Sequence, residues 1–168
     1  MHADIERRLL ALEERKNALI QRVKDLPPSK QDAAPKPGEM SPAGVIAHMA
    51  ITEKTFSGFM HLHPPSELKG VKPKPGFLFN WVLRKQRAPM KRIPTAPAAI
   101  PRGITMVEDA EHEWNLHRRE VARMLGTMAD PSEAACKLPV LIGTISANDL
   151  LNLLEAHMTY HEKFFPNP

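Results

Sequence analysis

Cysteine is nearly absent from this chain of 168 residues, since Cys136 is the only one. An intrachain disulfide is therefore excluded. The Lys-Leu-Pro sequence after Cys136 supplies no base to activate its thiol, so we expect a small, partly buried loop residue rather than a nucleophile. The sequence also lacks an apolar run as long as a membrane span and the basic-then-apolar start of a secretory signal. These absences favour a cytoplasmic protein with no membrane partner.

Acidic residues are missing from residues 69–102, where nine lysines and arginines accumulate. This stretch holds more than the whole net charge of +4, so the rest of the chain is net acidic. The composition is otherwise ordinary, with 42% hydrophobic and 25% charged residues. We expect one globular domain over residues 1–168, with a sizeable core.

Four segments carry apolar residues at the spacing of amphipathic helices, namely residues 4–26, 41–60, 105–128 and 146–165. Ser41 before Pro42 suits the start of the second helix, and Ser146 with Asp149 predicts a shortened capping box for the fourth. No strand pattern is visible, so the sequence predicts an all-α four-helix bundle. The third helix is predicted to bury the seam Val107, Ala110, Trp114, His117, Val121, Met124 and Met128.

A long connection, residues 61–104, joins the second and third helices and contains eight prolines. It is longer than ordinary connections between helices, and such loops are usually functional or mobile. A short helix is predicted over residues 77–84 of this connection. Phe77, Phe79 and Trp81 are expected to form the apolar anchor that pins this segment to the bundle.

His157 and His161 are one turn apart on the fourth helix, so both imidazoles project from one face. They lie on the apolar side of that helix, and His48 lies on the apolar side of the second. If these two helices are antiparallel neighbours, the helical rise brings all three rings to one layer of the bundle. Three inward imidazoles predict a metal site there.

Other histidines and acids offer alternatives to this ligand set. A lone inward histidine is more often a hydrogen-bonded core residue than a ligand, and His117 is expected to be a core residue or a partner of the ligands. His61, His63 and His112 are expected at the surface. Inward acids are not expected, because Glu53, Glu155 and Glu162 lie off the histidine stripes. Water or substrate would then complete the coordination.

The turn Ser41-Pro42, followed by His48 and then Glu53, resembles the second-helix motif of the DinB/YfiT-like metalloenzyme family. The loop before residue 146 and the His-x-x-x-His helix of His157 and His161 are similar to the family's last elements, so the resemblance covers most of the chain. It implies a four-helix bundle that binds one divalent metal ion through His48, His157 and His161, often in a homodimer. Characterised relatives include thiol-dependent transferases and isomerases.

Our first hypothesis is a metal-dependent enzyme in which zinc, nickel or iron activates a low-molecular-weight thiol or water against a small electrophilic substrate, as in a transferase or hydrolase. Arg84, Arg87, Lys91 and Arg92 are candidate binding residues for an anionic substrate or thiol, and the alternative for these charges is a solvated loop surface. The alternative is a non-enzymatic metal-binding module for stress response or assembly. Nucleic acid is a weaker third candidate, because prolines break the basic stretch and few aromatic side chains are available for stacking.

Overall fold

The computed structural model describes residues 2–36, 39–87, 100–101, 106–139 and 141–165, and these are mostly helical. The four long helices are those that the sequence predicts, with ends that differ by one to three residues. A single turn, α2, is an addition, and the short helix of the connection extends three residues beyond its predicted end. The helices are α1 (Ala3–Lys24), α2 (Pro28–Gln31), α3 (Pro42–Leu62), α4 (Phe77–Arg87), α5 (Val107–Leu125) and α6 (Ala147–Phe164).

A small antiparallel sheet joins the connection to the segment before α6. It contains β1 (Lys74–Pro75), β2 (Ala134–Lys137) and β3 (Gly143–Ser146), in the order β1-β3-β2. The expectation that the chain has no strands was therefore wrong. Strands of two to four residues are too short for alternation of apolar and polar residues to reveal them.

Gly143 allows the close approach of β1 and β3. Its φ of +84° lies in the left-handed region, and a β-carbon there would come within 2.3 Å of the Lys74 carbonyl oxygen. A side chain at this position would therefore be strained and would clash. The pairing holds the start of α4 beside residues 141–142, where the amide of Leu78 donates to the carbonyl of Leu141.

The helices pack around one apolar core. α3 packs along α5, α5 also contacts α1, and α6 packs against α1 and α4. The predicted seam of α5 is confirmed for its apolar members, with Trp114 fully buried, but His117 is only half-buried and the neighbouring Arg118 is buried instead. None of the helices in the described ranges combines the length and apolar content that crossing a bilayer requires.

The start of α6 is defined by the predicted capping box. The Ser146 hydroxyl accepts a hydrogen bond from the Asp149 amide, and the Asp149 carboxylate accepts one from the Ser146 amide. Two amides at the helix start are satisfied in this way. The capping box thus sets where the helix that carries His157 and His161 begins.

The apolar anchor of α4 is smaller than predicted. Phe79 is buried and Trp81 is half-buried, but Phe77 is 80% exposed. In a helix, residues two apart point about 200° from each other, so Phe77 and Phe79 cannot both face the bundle. The predicted anchoring role of Phe77 was therefore wrong.

Candidate metal centre

Two helices bring three histidines together inside the bundle. His48 lies on α3, whereas His157 and His161 lie one turn apart on α6. Each of the three residues is only 6–7% exposed. Among the residues that the structure describes, they are the one group of histidine, cysteine or acidic side chains placed so that it could hold a metal ion.

The three rings converge on the Nε2 atom of His157. The Nε2 atoms of His48 and His157 are 3.0 Å apart, and those of His161 and His157 are 2.9 Å apart. All candidate ligand atoms of the group lie within 4.8 Å of one another. Nitrogens that share one ion at bond lengths of about 2.0–2.1 Å lie roughly 2.9–3.4 Å apart, so the two measured separations are compatible with a shared ion.

The crowding at His157 Nε2 is itself evidence for a cation. An imidazole nitrogen has either one N–H or one lone pair, so it forms one good hydrogen bond. His157 Nε2 nevertheless faces two other ring nitrogens at hydrogen-bond distance. A shared cation would accept the lone pairs of all three rings, and the donor set fits a divalent metal ion.

The charge state of His157 also favours metal binding. Burial lowers the pKa of this imidazole well below 6.5, and the neighbouring His161 and His48 lower it further. A low pKa keeps the ring neutral at neutral pH. Because only the neutral imidazole has a free lone pair, no proton has to be displaced before a metal ion binds.

Glu53 contradicts the expectation that inward acids are lacking, because it is only 1% exposed. Its carboxylate accepts hydrogen bonds from Trp114 Nε1 at 2.6 Å and from Arg118 Nε at 2.7 Å, and Arg118 Nη2 also donates to it. Five residues along α3 correspond to a rotation of about 140°, so Glu53 faces α5 while His48 faces α6. Its oxygens are therefore engaged away from the three histidines.

The sequence contains a signal for this ion pair. Trp114 and Arg118 are one turn apart on α5, so a cation and an indole N–H lie on the same buried face. Two such donors on a buried face require an acceptor from a neighbouring helix. The other two acids, Glu155 and Glu162, lie off the histidine stripe as predicted, and both accept hydrogen bonds from arginines of α1.

The remaining histidines lie outside the three-histidine group. His117 Nδ1 is 3.3 Å from the hydroxyl oxygen of Ser57, and its Nε2 is 3.5 Å from a carboxylate oxygen of Glu113. It therefore belongs to the interface of α3 and α5. The surface prediction is confirmed for His61 and His112, whereas His63 is half-buried.

Only two of the four basic candidate residues lie within the described ranges. Arg84 and Arg87 are exposed on α4, which packs against α6. Lys91 and Arg92 lie outside the described residues. The binding role of all four stays a prediction.

Cys136 is a fully buried residue of β2 rather than a loop residue. Burial raises the pKa of its thiol to about 12. Since the thiolate is the reactive form, we expect a thiol reagent at pH 8 to modify the native protein at least about a thousandfold more slowly than the chain unfolded in guanidinium. Comparable rates in native and unfolded protein would contradict this burial.

The sequence model of the DinB superfamily matches residues 11–163 of the chain. This range contains all three histidines of the group and every helix except the start of α1 and the last residue of α6. No match was found among curated proteins or among solved structures.

Proposed function

The chain belongs to the DinB superfamily, and on this premise we propose that it is a metal-dependent enzyme whose divalent ion is bound by His48, His157 and His161. The observation that carries the proposal is the pair of ring nitrogens within 3.0 Å of His157 Nε2. We further propose that the enzyme uses a low-molecular-weight thiol or water to attack a small electrophilic substrate.

The ligand set supports a catalytic rather than a purely structural ion. Structural zinc sites usually have four protein ligands, whereas catalytic sites have three and leave a position for water or substrate. The group contains three histidines and no acid within the described ranges. When bound, the ion would lower the pKa of a coordinated water or thiol towards neutrality.

The residues of the chain have separate proposed tasks. The three imidazoles hold the ion in their neutral form and do not act as bases. Arg84, Arg87, Lys91 and Arg92 attract an anionic substrate or thiol through their positive charge. The location of Arg84 and Arg87 on α4, beside the helix that carries two of the histidines, supports this task.

A non-enzymatic metal-binding module is the second candidate, and the burial of the histidines favours it. At 6–7% exposure, the three side chains have little contact with bulk water. An ion there would be accessible to a thiol only through a narrow opening or after a movement of the surrounding segments. The two candidates therefore differ in whether an external ligand reaches the ion.

Cobalt(II) provides a direct test, because its visible spectrum depends on its ligands. We expect the cobalt-loaded protein to change its spectrum on addition of a low-molecular-weight thiol, and one member of a thiol panel to be transferred to a small electrophile. Protein without metal is the control and should show neither effect. A spectrum that is insensitive to every thiol and to azide would favour the non-enzymatic module.

A further inference from the structure

The back of α6 carries a continuous polar stripe that faces α1. Two arginines of α1, Arg8 and Arg15, donate hydrogen bonds to every member of this stripe. In order along α6, its members are Asn148, Asn152, Glu155, Thr159 and Glu162.

Each arginine forms a bidentate ion pair with one glutamate, through its Nε and Nη2 atoms. Arg8 donates to Glu155 at 2.7 and 2.8 Å, and Arg15 donates to Glu162 at 3.0 and 2.7 Å. Seven residues, or two helical turns, separate the arginines on α1, and seven also separate the glutamates on α6. The two ion pairs therefore fix the register of the two helices as well as their distance.

The metal-binding face of α6 is opposite this stripe. At about 100° per residue, Glu155, Thr159 and Glu162 cluster within roughly 60° of each other around the helix axis. His157 and His161 point about 160–260° away from them by the same count. The two ion pairs thus fix the face of α6 that contacts α1, while the imidazoles project from the opposite face.

We propose that Arg8 and Arg15 are positioning residues that orient His157 and His161 for metal binding. This inference rests on the proposed function. Within the described ranges, α6 packs against α1, α4, β2 and β3. The contact with α1 includes both ion pairs, so these pairs help to set the rotation of α6 about its axis. A small rotation would move His157 and His161 away from His48, and a metal site depends on the orientation of its ligands.

Arg15 has a closely matched control on the same helix. Lys24 of α1 pairs with Glu111 of α5 at 2.5 Å, and their side chains are 33% and 29% exposed. Arg15 and Glu162 are 32% and 31% exposed. Both pairs join α1 to another helix at the same degree of exposure, but only the Arg15 pair touches α6.

The test compares Arg15→Met with Lys24→Met by competition with a chelator for zinc, under conditions in which both variants are fully folded. We expect Arg15→Met to bind zinc about tenfold more weakly than the unsubstituted protein. Residues that orient metal ligands typically change metal affinity by about 10–100-fold when replaced, so this is the lower end of that range. Lys24→Met should bind within about twofold, because an exposed ion pair contributes little by itself. Exchange of the charges in Arg15→Glu with Glu162→Arg should restore most of the affinity.

The metal-free protein gives an independent readout. The imidazole NMR signals of His157 and His161 should shift in Arg15→Met and stay unchanged in Lys24→Met, whether or not a metal ion binds. Equal zinc affinity and unchanged imidazole signals in Arg15→Met would overturn the positioning role while leaving the metal site intact. Shifted signals in a protein that binds no metal would instead retain the positioning role and refute the proposed function.

Discussion

Replacing His157 by alanine should lower the bound metal from about one equivalent per chain to less than about a tenth of an equivalent. His157 Nε2 is the atom that both other rings approach, at 3.0 and 2.9 Å. Without it, only His48 and His161 remain, and no acid in the described ranges completes the group. The measurement is elemental analysis of protein purified without a histidine tag, after metal loading and gel filtration with a weak chelator.

His117→Ala is the matched control for this substitution. It removes a partly buried imidazole of the same size, but one that contacts Ser57 and Glu113 rather than the other histidines. We expect this variant to keep its full equivalent of metal. Unchanged metal content in His157→Ala, or an equal loss in both variants, would refute the assignment of the ligands.

The part of this site that the sequence predicts is its helical part. His157 and His161 share a face because of the period of one helix, and no knowledge of the fold is needed to see this. Their approach to His48 depended on an assumption about which helices are neighbours, and the 3.0 Å separation of the Nε2 atoms of His48 and His157 shows that these rings meet. Helical period and end signals were also sufficient for the four long helices.

Glu53 shows where the same reasoning fails. The helical period states that Glu53 points about 140° away from His48, but not whether solvent or another helix lies in that direction. The side chain was therefore expected off the inward face, whereas α5 covers it. The small sheet was missed for a related reason, because Lys74 pairs with Thr144 across 70 residues and such distant pairing leaves no local pattern.

The ion pair of Glu53 and Arg118 is the second site where replacing one side chain should have a large effect, in this case on the free energy of unfolding. We expect Arg118→Met to lower the free energy of unfolding by about 3–5 kcal/mol, because it leaves a buried carboxylate without its cation. Glu53 is 1% exposed and Arg118 is 3% exposed. Burial alone would lower the pKa of Arg118, but the charge and hydrogen bonds of Glu53 reverse this effect and raise it.

Urea unfolding measures this loss, and Arg123→Met is the control. Arg123 also lies on α5 and pairs with a glutamate, Glu120, but its side chain is 60% exposed. Its replacement should leave the free energy of unfolding nearly unchanged, since exposed pairs contribute little. Equal losses of stability in Arg118→Met and Arg123→Met would show that the buried ion pair of Glu53 and Arg118 contributes no more than an exposed one.

A double variant distinguishes the net contribution of the ion pair to stability from the cost of removing only one of its partners. Glu53→Leu with Arg118→Met removes both buried charges and keeps much of the apolar volume, so it should be more stable than Arg118→Met alone. The indole N–H of Trp114 then loses its acceptor, and this loss of about 1–3 kcal/mol should prevent full recovery. A double variant less stable than Arg118→Met alone, by about the 1–3 kcal/mol that the unpaired indole costs, would mean that the uncompensated carboxylate is not the source of the instability, and that α3 and α5 depend on Arg118 for its packing.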